Sequence, residues 1–213
     1  NFLYRIFNFT EWCITMKFSI FLVFLLSVSN VYSEKTPEEL SSTCLGCHGV
    51  VSYKNIYPTY KVPKLGNQHK DYIVSALKAY KSGERSHPTM RAHAANLSDT
   101  DIVKIAEYFS SIKLSKENQA NVKIEMIDEA NSCVGCHGAD GNSMISSFPK
   151  IAGQYEDYIY HALKSYQNGG RNNAIMSGIA GTLNDKQMKK LSKYFASQKG
   201  LQSINQGRRS VKK

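Results

Sequence analysis

Two short motifs in this 213-residue chain combine two cysteines with a histidine. Cys-Leu-Gly-Cys-His begins at Cys44 and ends at His48, and Cys-Val-Gly-Cys-His begins at Cys133 and ends at His137. Thiol and imidazole groups at this spacing can bind zinc, form a redox-active disulfide or hold haem. For haem, two thiols one helical turn apart add to the vinyl groups, and the adjacent histidine reaches the iron.

The rest of the sequence favours haem over the other two chemistries. Zinc needs four ligands, and each motif offers three with no obvious fourth at zinc-knuckle spacing. A thioredoxin-type pair is expected beside a β-α-β pattern, which the sequence lacks. We therefore predict two covalently bound haem c groups, held by Cys44, Cys47, Cys133 and Cys136, with His48 and His137 as iron ligands.

The segment after each motif is repeated 86 residues later. Residues 63–109 and 149–195 are identical at 19 of 47 positions, which indicates a duplicated domain. We predict a first domain at 34–112, a linker at 113–121, a second domain at 122–200 and a basic tail at 201–213.

The repeat also points to the sixth ligand of each iron, which decides between an electron carrier and an open catalytic site. Met90 and Met176 align across the repeat and are expected in loops after the second helix of each domain. A methionine there could merely fill the core. His87 and His93, each three residues from Met90, remain alternatives in the first domain, although neither is matched in the second.

Helical signals account for the elements that must position these residues. Thr36 and Glu39 form a capping-box pattern, and Ser98 and Asn184 precede further apolar periodic segments. Gly83 is expected to end the helix that contains Tyr72 to Tyr80. Because no alternating strand pattern is present, we predict an all-α fold.

The N-terminal residues read as a targeting segment. A lysine at 17 and an apolar run over 18–28 predict a signal peptide at 16–33, and residues 1–15 are expected to lie upstream of the start codon. The fifth cysteine, Cys13, falls in this upstream part. The alternative is an uncleaved membrane anchor, but this apolar run of 11 residues is well short of the roughly 20 that a spanning helix needs, and no other run approaches that length. Export to the periplasm also suits covalent haem attachment.

Several stretches of the sequence resemble those of a known family. "CHGADGNS", "FPKIAGQYEDYI", a G-x-R before each methionine and "L-x-D…YF" are similar to the two-haem class I cytochromes c of the cytochrome c4 type, over about residues 36–200. The first domain departs from the pattern at "GVVSYKNIYPTY". The resemblance implies two tandem class I cytochrome c domains related by a pseudo-twofold axis.

The resemblance also implies roles for further residues. The backbone carbonyls of Pro63 and Pro149 would accept a hydrogen bond from the second ring nitrogen of each iron-binding histidine. Arg85 and Arg171 would contact haem propionates, or else be ordinary solvated charges.

The expected function is that of a periplasmic electron carrier rather than an enzyme. It would pass single electrons between respiratory complexes, towards a terminal oxidase or reductase. A net charge of +10 suits a redox protein with an acidic docking face or a membrane complex, and nothing in the sequence suggests nucleic acid. One alternative is an electron-transfer subunit of a dehydrogenase, such as a flavocytochrome c sulfide dehydrogenase. Another is a peroxidase, which needs an open iron site that the paired methionines disfavour.

Overall fold

The computed structural model of the protein describes residues 34–55, 59–116 and 125–204. From Thr36 onward the described residues belong to one compact unit. The predicted upstream extension and signal peptide, with Cys13, lie outside the described residues, as do parts of the linker and tail. In the part of the chain that the structure describes, no helix is long and apolar enough to cross a membrane.

The described residues of the first domain form four helices. They are α1 (Pro37–His48), α2 (Lys70–Ser82), α3 (Pro88–Ala95) and α4 (Asp99–Ser110). Helix α4 packs against both α1 and α2, and α3 packs against α2.

The second domain repeats this arrangement. A 3-10 helix, Asp128–Ala130, leads into α5 (Asn131–His137), which is followed by α6 (Glu156–Gln167), α7 (Ala174–Gly181) and α8 (Asp185–Ala196). Helix α8 packs against α6, and α6 against α7. The described residues form isolated β-bridges and no strands, so the all-α prediction is confirmed.

Local sequence signals set most helix ends. Thr36, Ser98 and Asn184 each cap a helix through a capping box, as predicted. Gly83 ends α2 at a φ of 90°, a left-handed conformation that favours glycine.

The expectation that Met90 and Met176 lie in loops is wrong. Both lie in the first turn of the short helices α3 and α7. The side chains of His87 and Asn173 cap these helices by accepting the backbone N–H of the methionine three residues later, at 3.2 Å and 3.0 Å. Eight residues are too few to show a clear apolar period, and histidine is a weak cap signal. The sequence pattern therefore did not predict these two helices.

Each domain has its own apolar core beside its motif. The first core centres on Phe109 of α4 and the second on Phe195 of α8, which are equivalent positions in the repeat. The first core also includes Ile204, which lies beyond the predicted end of the second domain and is 3% exposed. The chain therefore returns from the second domain to complete the first.

Residues 201–204, here called the C-terminal strap, are fixed to the first domain by backbone pairing. Gly66 and Gln202 exchange N–H···O bonds of 3.0 Å and 3.2 Å. A Cβ at Gly66 would lie 2.7 Å from the Gln202 carbonyl oxygen, so only glycine permits this approach. The Gln202 side chain also donates to Lys113 O at 2.6 Å and accepts from Ser115 N at 3.0 Å.

Described residues of the first-domain segment that departs from the family pattern, and the lysine that follows it, contact the second domain. Ser52 N donates to the Tyr155 hydroxyl at 2.7 Å, and Lys61 N donates to the Asp157 carboxylate at 3.1 Å. The ring of Tyr60 stacks on His161 with 3.9 Å between centroids. These residues therefore form an interdomain contact.

Candidate haem-binding sites

Each cysteine–histidine motif forms the end of a helix. Cys44, Cys47 and His48 lie in the last two turns of α1, and the second motif occupies α5 in the same way. The helical turn places the two thiols of a motif one turn apart, and all four of these cysteines are free rather than paired in disulfides. The thiols are therefore available for a covalent group.

The two histidines are buried and held by backbone carbonyls. Nδ1 of His48 lies 2.8 Å from Pro63 O, and Nδ1 of His137 lies 2.8 Å from Pro149 O. A ring that donates through Nδ1 leaves the Nε2 lone pair free to bind a metal. The two proline carbonyls that the family resemblance implied as partners thus lie within hydrogen-bonding distance of the histidines.

Burial also sets the charge of these rings. Loss of solvent lowers the pKa of His48 to about 4, although the bond to Pro63 acts in the opposite direction. Burial likewise lowers the pKa of His137. Both imidazoles are therefore neutral at pH 7, which is the form that ligates iron.

A cavity of about 490 Å³ opens beside the second motif. Cysteine-bearing α5 forms one wall with Cys133, Cys136 and His137, and Met176 of α7 also lines it. The remaining lining is largely apolar, with Phe148, Ile159, Leu163 and Leu191 among its members. Ligand cavities typically measure about 300–1,000 Å³, so this one suits a large planar apolar group.

Two buried arginines face the same cavity from different domains. Arg85 and Arg171 are 7% and 6% exposed, and both line the cavity beside the second motif. Arg85 donates to the Tyr158 hydroxyl at 2.6 Å and to the Tyr72 hydroxyl at 3.4 Å, while Arg171 donates to Tyr158 at 3.3 Å. Burial opposes ionisation of Tyr158, but the two guanidiniums outweigh it and lower its pKa to about 8.

These arginines fit a ligand that carries carboxylates. Among the residues that the structure describes, no acidic side chain pairs with either guanidinium, and Nε of Arg85 is buried without a partner. A buried cation without a counter-ion is costly. The two propionates of haem would supply that counter-charge, so the residues present fit the group.

The methionines lie on the side of the site formed by α3 and α7. Met176 lines the cavity of the second domain, and Met90 packs against the core of the first. His87 uses Nδ1 to cap α3, and His93 is exposed. The cap leaves Met90 and His87 side by side at the start of the same helix.

Sequence analysis missed the tyrosines of this cluster. Tyr72 and Tyr158 are identical positions in the repeat, and that identity was the available signal. Their role as shared partners of the arginines depends on the meeting of the two domains, where the backbones of Arg85 and Arg171 also form an antiparallel bridge.

Comparison with known proteins supports the same assignment. The family model for cytochrome c matches residues 126–199. Cytochrome c4 of Pseudomonas aeruginosa is 30% identical over 170 residues, which cover 73% of this chain and 83% of that protein. A solved structure of cytochrome c4 from Acidithiobacillus ferrooxidans superposes with a TM-score of 0.60 at 33% identity, and covers 74% of this chain and 99% of that one.

The chain belongs to the cytochrome c4 family. It therefore carries two covalently bound haem c groups in two tandem cytochrome c domains, and it transfers electrons rather than catalysing a reaction. A further relative of this cytochrome, from Thiomonas intermedia, is named a thiosulfate dehydrogenase electron acceptor. It is 40% identical over 178 residues, which cover 76% of this chain and 81% of the relative.

Proposed function

We propose that this cytochrome shuttles single electrons in the periplasm between respiratory complexes, towards a terminal oxidase or reductase. The observation that carries the proposal is the paired geometry of the two sites, each with a buried neutral histidine held 2.8 Å from a proline carbonyl. Haem supplies reversible one-electron chemistry at its iron. Two such sites in one compact unit suit a carrier that exchanges electrons without binding a substrate.

In this proposal Met90 and Met176 would supply a thioether ligand to each iron, in addition to the imidazoles of His48 and His137. Thioether ligation stabilises reduced iron and raises its potential, which suits delivery to a terminal acceptor. Pro63 and Pro149 fix the orientation of the histidine rings, and Arg85 and Arg171 neutralise propionates. The predicted signal peptide would bring the chain to the compartment where its partners lie.

The partner is proposed to be a redox protein or membrane complex with an acidic docking face. The chain carries 27 lysines and arginines against 17 acidic residues, so long-range attraction should steer it to such a surface. Association through charge weakens as salt screens it.

The test is reoxidation of the reduced holoprotein by membranes that contain a terminal oxidase. The visible spectrum should return to the oxidised form on mixing, at a rate that falls as ionic strength rises, and cyanide-treated membranes should leave the protein reduced. Reoxidation no faster than in the cyanide control would overturn the proposal.

A second candidate is an electron acceptor dedicated to one dehydrogenase. The name of the Thiomonas intermedia relative favours it, with thiosulfate dehydrogenase as the donor. Mixing oxidised cytochrome with that enzyme and thiosulfate would then reduce it rapidly, and purification from the native periplasm would yield a complex. A flavocytochrome sulfide dehydrogenase subunit would instead co-purify with a flavoprotein.

A further inference from the structure

Two glutamine side chains join the domains in a reciprocal arrangement. Gln154 of the second domain accepts from Lys64 N at 3.0 Å and donates to Lys64 O at 3.0 Å. Gln68 of the first domain accepts from Lys150 N at 2.9 Å and donates to Lys150 O at 2.9 Å. Each amide thus pairs with both backbone groups of one residue in the opposite domain.

Each glutamine is also held by hydrogen bonds within its own domain. Gln68 and Gln154 are 4% and 6% exposed, respectively. The side-chain oxygen of each also accepts the N–H of the following residue, at 2.9 Å for Gln68 and 3.0 Å for Gln154. Each glutamine closes a tight turn, with Gln68 N donating to Leu65 O and Gln154 N to Ile151 O. The side chains are therefore pre-organised donors and acceptors.

The clamped lysines stand directly after the prolines that hold the iron-binding histidines. Pro63, whose carbonyl lies 2.8 Å from His48 Nδ1, is joined by one peptide bond to Lys64. The Lys64 N–H that Gln154 accepts belongs to that same peptide group, so fixing it fixes the plane of the Pro63 carbonyl. Likewise, Gln68 of the first domain accepts the Lys150 N–H, which belongs to the same peptide group as the Pro149 carbonyl. That carbonyl lies 2.8 Å from His137 Nδ1.

We propose that Gln154 and Gln68 are positioning residues for the histidine ligand of the opposite domain. Gln154 acts through the Lys64 peptide on His48, and Gln68 acts through the Lys150 peptide on His137. The inference rests on the proposed function, because it takes both histidines as iron ligands. It makes the domain interface part of each iron site.

The chemical consequence follows from the basicity of the ligand. A firm Nδ1–H···O bond raises the electron density that the imidazole offers to iron. A more basic ligand favours the oxidised iron, so loosening the carbonyl should raise the potential of that haem. A change in one domain would then alter the haem of the other.

The test compares Gln154→Leu with Gln68→Leu in the holoprotein. Solvent exchange of the two histidine Nδ1–H protons is measured by NMR in the reduced, ¹⁵N-histidine-labelled protein. Loss of the clamp should accelerate exchange at His48 about tenfold in Gln154→Leu, the equivalent of about 1.4 kcal/mol. The effect at His137, whose cavity Gln154 also lines, should be clearly smaller. Gln68→Leu should show the reverse, and in each variant the potential of the loosened haem should rise.

A matched control is Asp157→Ala, which removes a bond to Lys61 N in the same interface without touching Lys64. It should leave both exchange rates unchanged. If Gln154→Leu fails to fold, Gln154→Glu keeps the acceptor for Lys64 N and loses the donor to Lys64 O, and should give a smaller effect on His48 alone.

Equal acceleration at both histidines in either variant would show that the glutamines only hold the domains together, and would overturn the inference. No acceleration at either histidine would overturn it as well. Failure of the proposed function has a different signature, because slow reoxidation by membranes would leave the exchange pattern of the glutamine variants unchanged. Failure of the assumed histidine ligation would instead leave the unaltered protein without protected Nδ1–H protons at His48 and His137.

Discussion

At the scale of single residues, Met90 and Met176 are the proposed sixth iron ligands, which would decide how each haem behaves. A methionine bond to oxidised iron gives a weak long-wavelength absorption band, and its loss leaves an open or differently ligated site. Both side chains lie at equivalent positions in α3 and α7.

We expect Met90→Ala and Met176→Ala each to remove about half of this band, because each iron contributes one bond. The measurement is the visible spectrum of the oxidised holoprotein, with Met144→Ala as control because Met144 is 95% exposed and unmatched in the repeat. An unaltered spectrum for Met90→Ala would make His87 or His93 the ligand to test.

Arg85 offers a second test at this scale. It is a buried cation that lines the cavity of the second domain from the first. A positive charge near the iron favours the reduced state, so Arg85→Leu should lower the potential of the second haem, by on the order of 1 kcal/mol of redox free energy. Redox titration followed by absorbance measures the shift.

Arg91→Leu is the matched control for this substitution, because Arg91 is an exposed arginine on α3. It should leave both potentials unchanged. Equal potentials in Arg85→Leu and the unaltered protein would show that Arg85 does not interact with a haem propionate.

At the scale of elements, the short helices α3 and α7 position the methionines through their caps. Asn173 Oδ1 accepts the Met176 backbone N–H at 3.0 Å, so the residue that caps α7 also holds the proposed iron ligand. Loss of such a cap costs about 1 kcal/mol. This loss of stability should affect the iron site as well as the helix.

Asn173→Ala should therefore weaken the methionine band of the second haem at temperatures well below global unfolding. Asn184→Ala is the control, because Asn184 caps α8 in the same way and contacts no ligand. Both variants should lose similar stability, and only the first should lose the band on warming. Parallel loss of the band in both would show that α7 melts only with the whole domain.

At the scale of the whole molecule, the first domain includes packing from the C-terminal strap. Ile204, contributed by the C-terminal strap, is buried in the core of the first domain beside Phe109. The Gln202 backbone pairs with Gly66 of that domain. The first domain therefore needs residues that follow the second in the chain.

Ile204→Ala should destabilise the first domain by about 2 kcal/mol, since truncation of a buried isoleucine leaves a cavity. The free energy of unfolding in guanidinium measures the loss. Ile145→Ala, at a position 48% exposed, should change it little. Equal stabilities of the two variants would mean that the strap contributes no core packing.

The sequence alone determined what depends on short spacings. Two thiols and a histidine within five residues fit haem attachment, and the lack of a fourth zinc ligand and of a β-α-β pattern disfavoured the other chemistries. Capping boxes such as that of Thr36 fix helix ends locally. The all-α fold and the two haems were predictable for this reason. The equivalence of Met90 and Met176 followed from the repeat.

The tertiary structure decided what depends on chain segments far apart in sequence. Tyr158 accepts from Arg85 of the other domain, Gln154 pairs with Lys64 across 90 residues, and Ile204 enters the opposite core. Spacing cannot predict such contacts, because burial and hydrogen bonding at an interface depend on how two folded surfaces meet. The interdomain arrangement of the sites therefore emerged only from the folded chain.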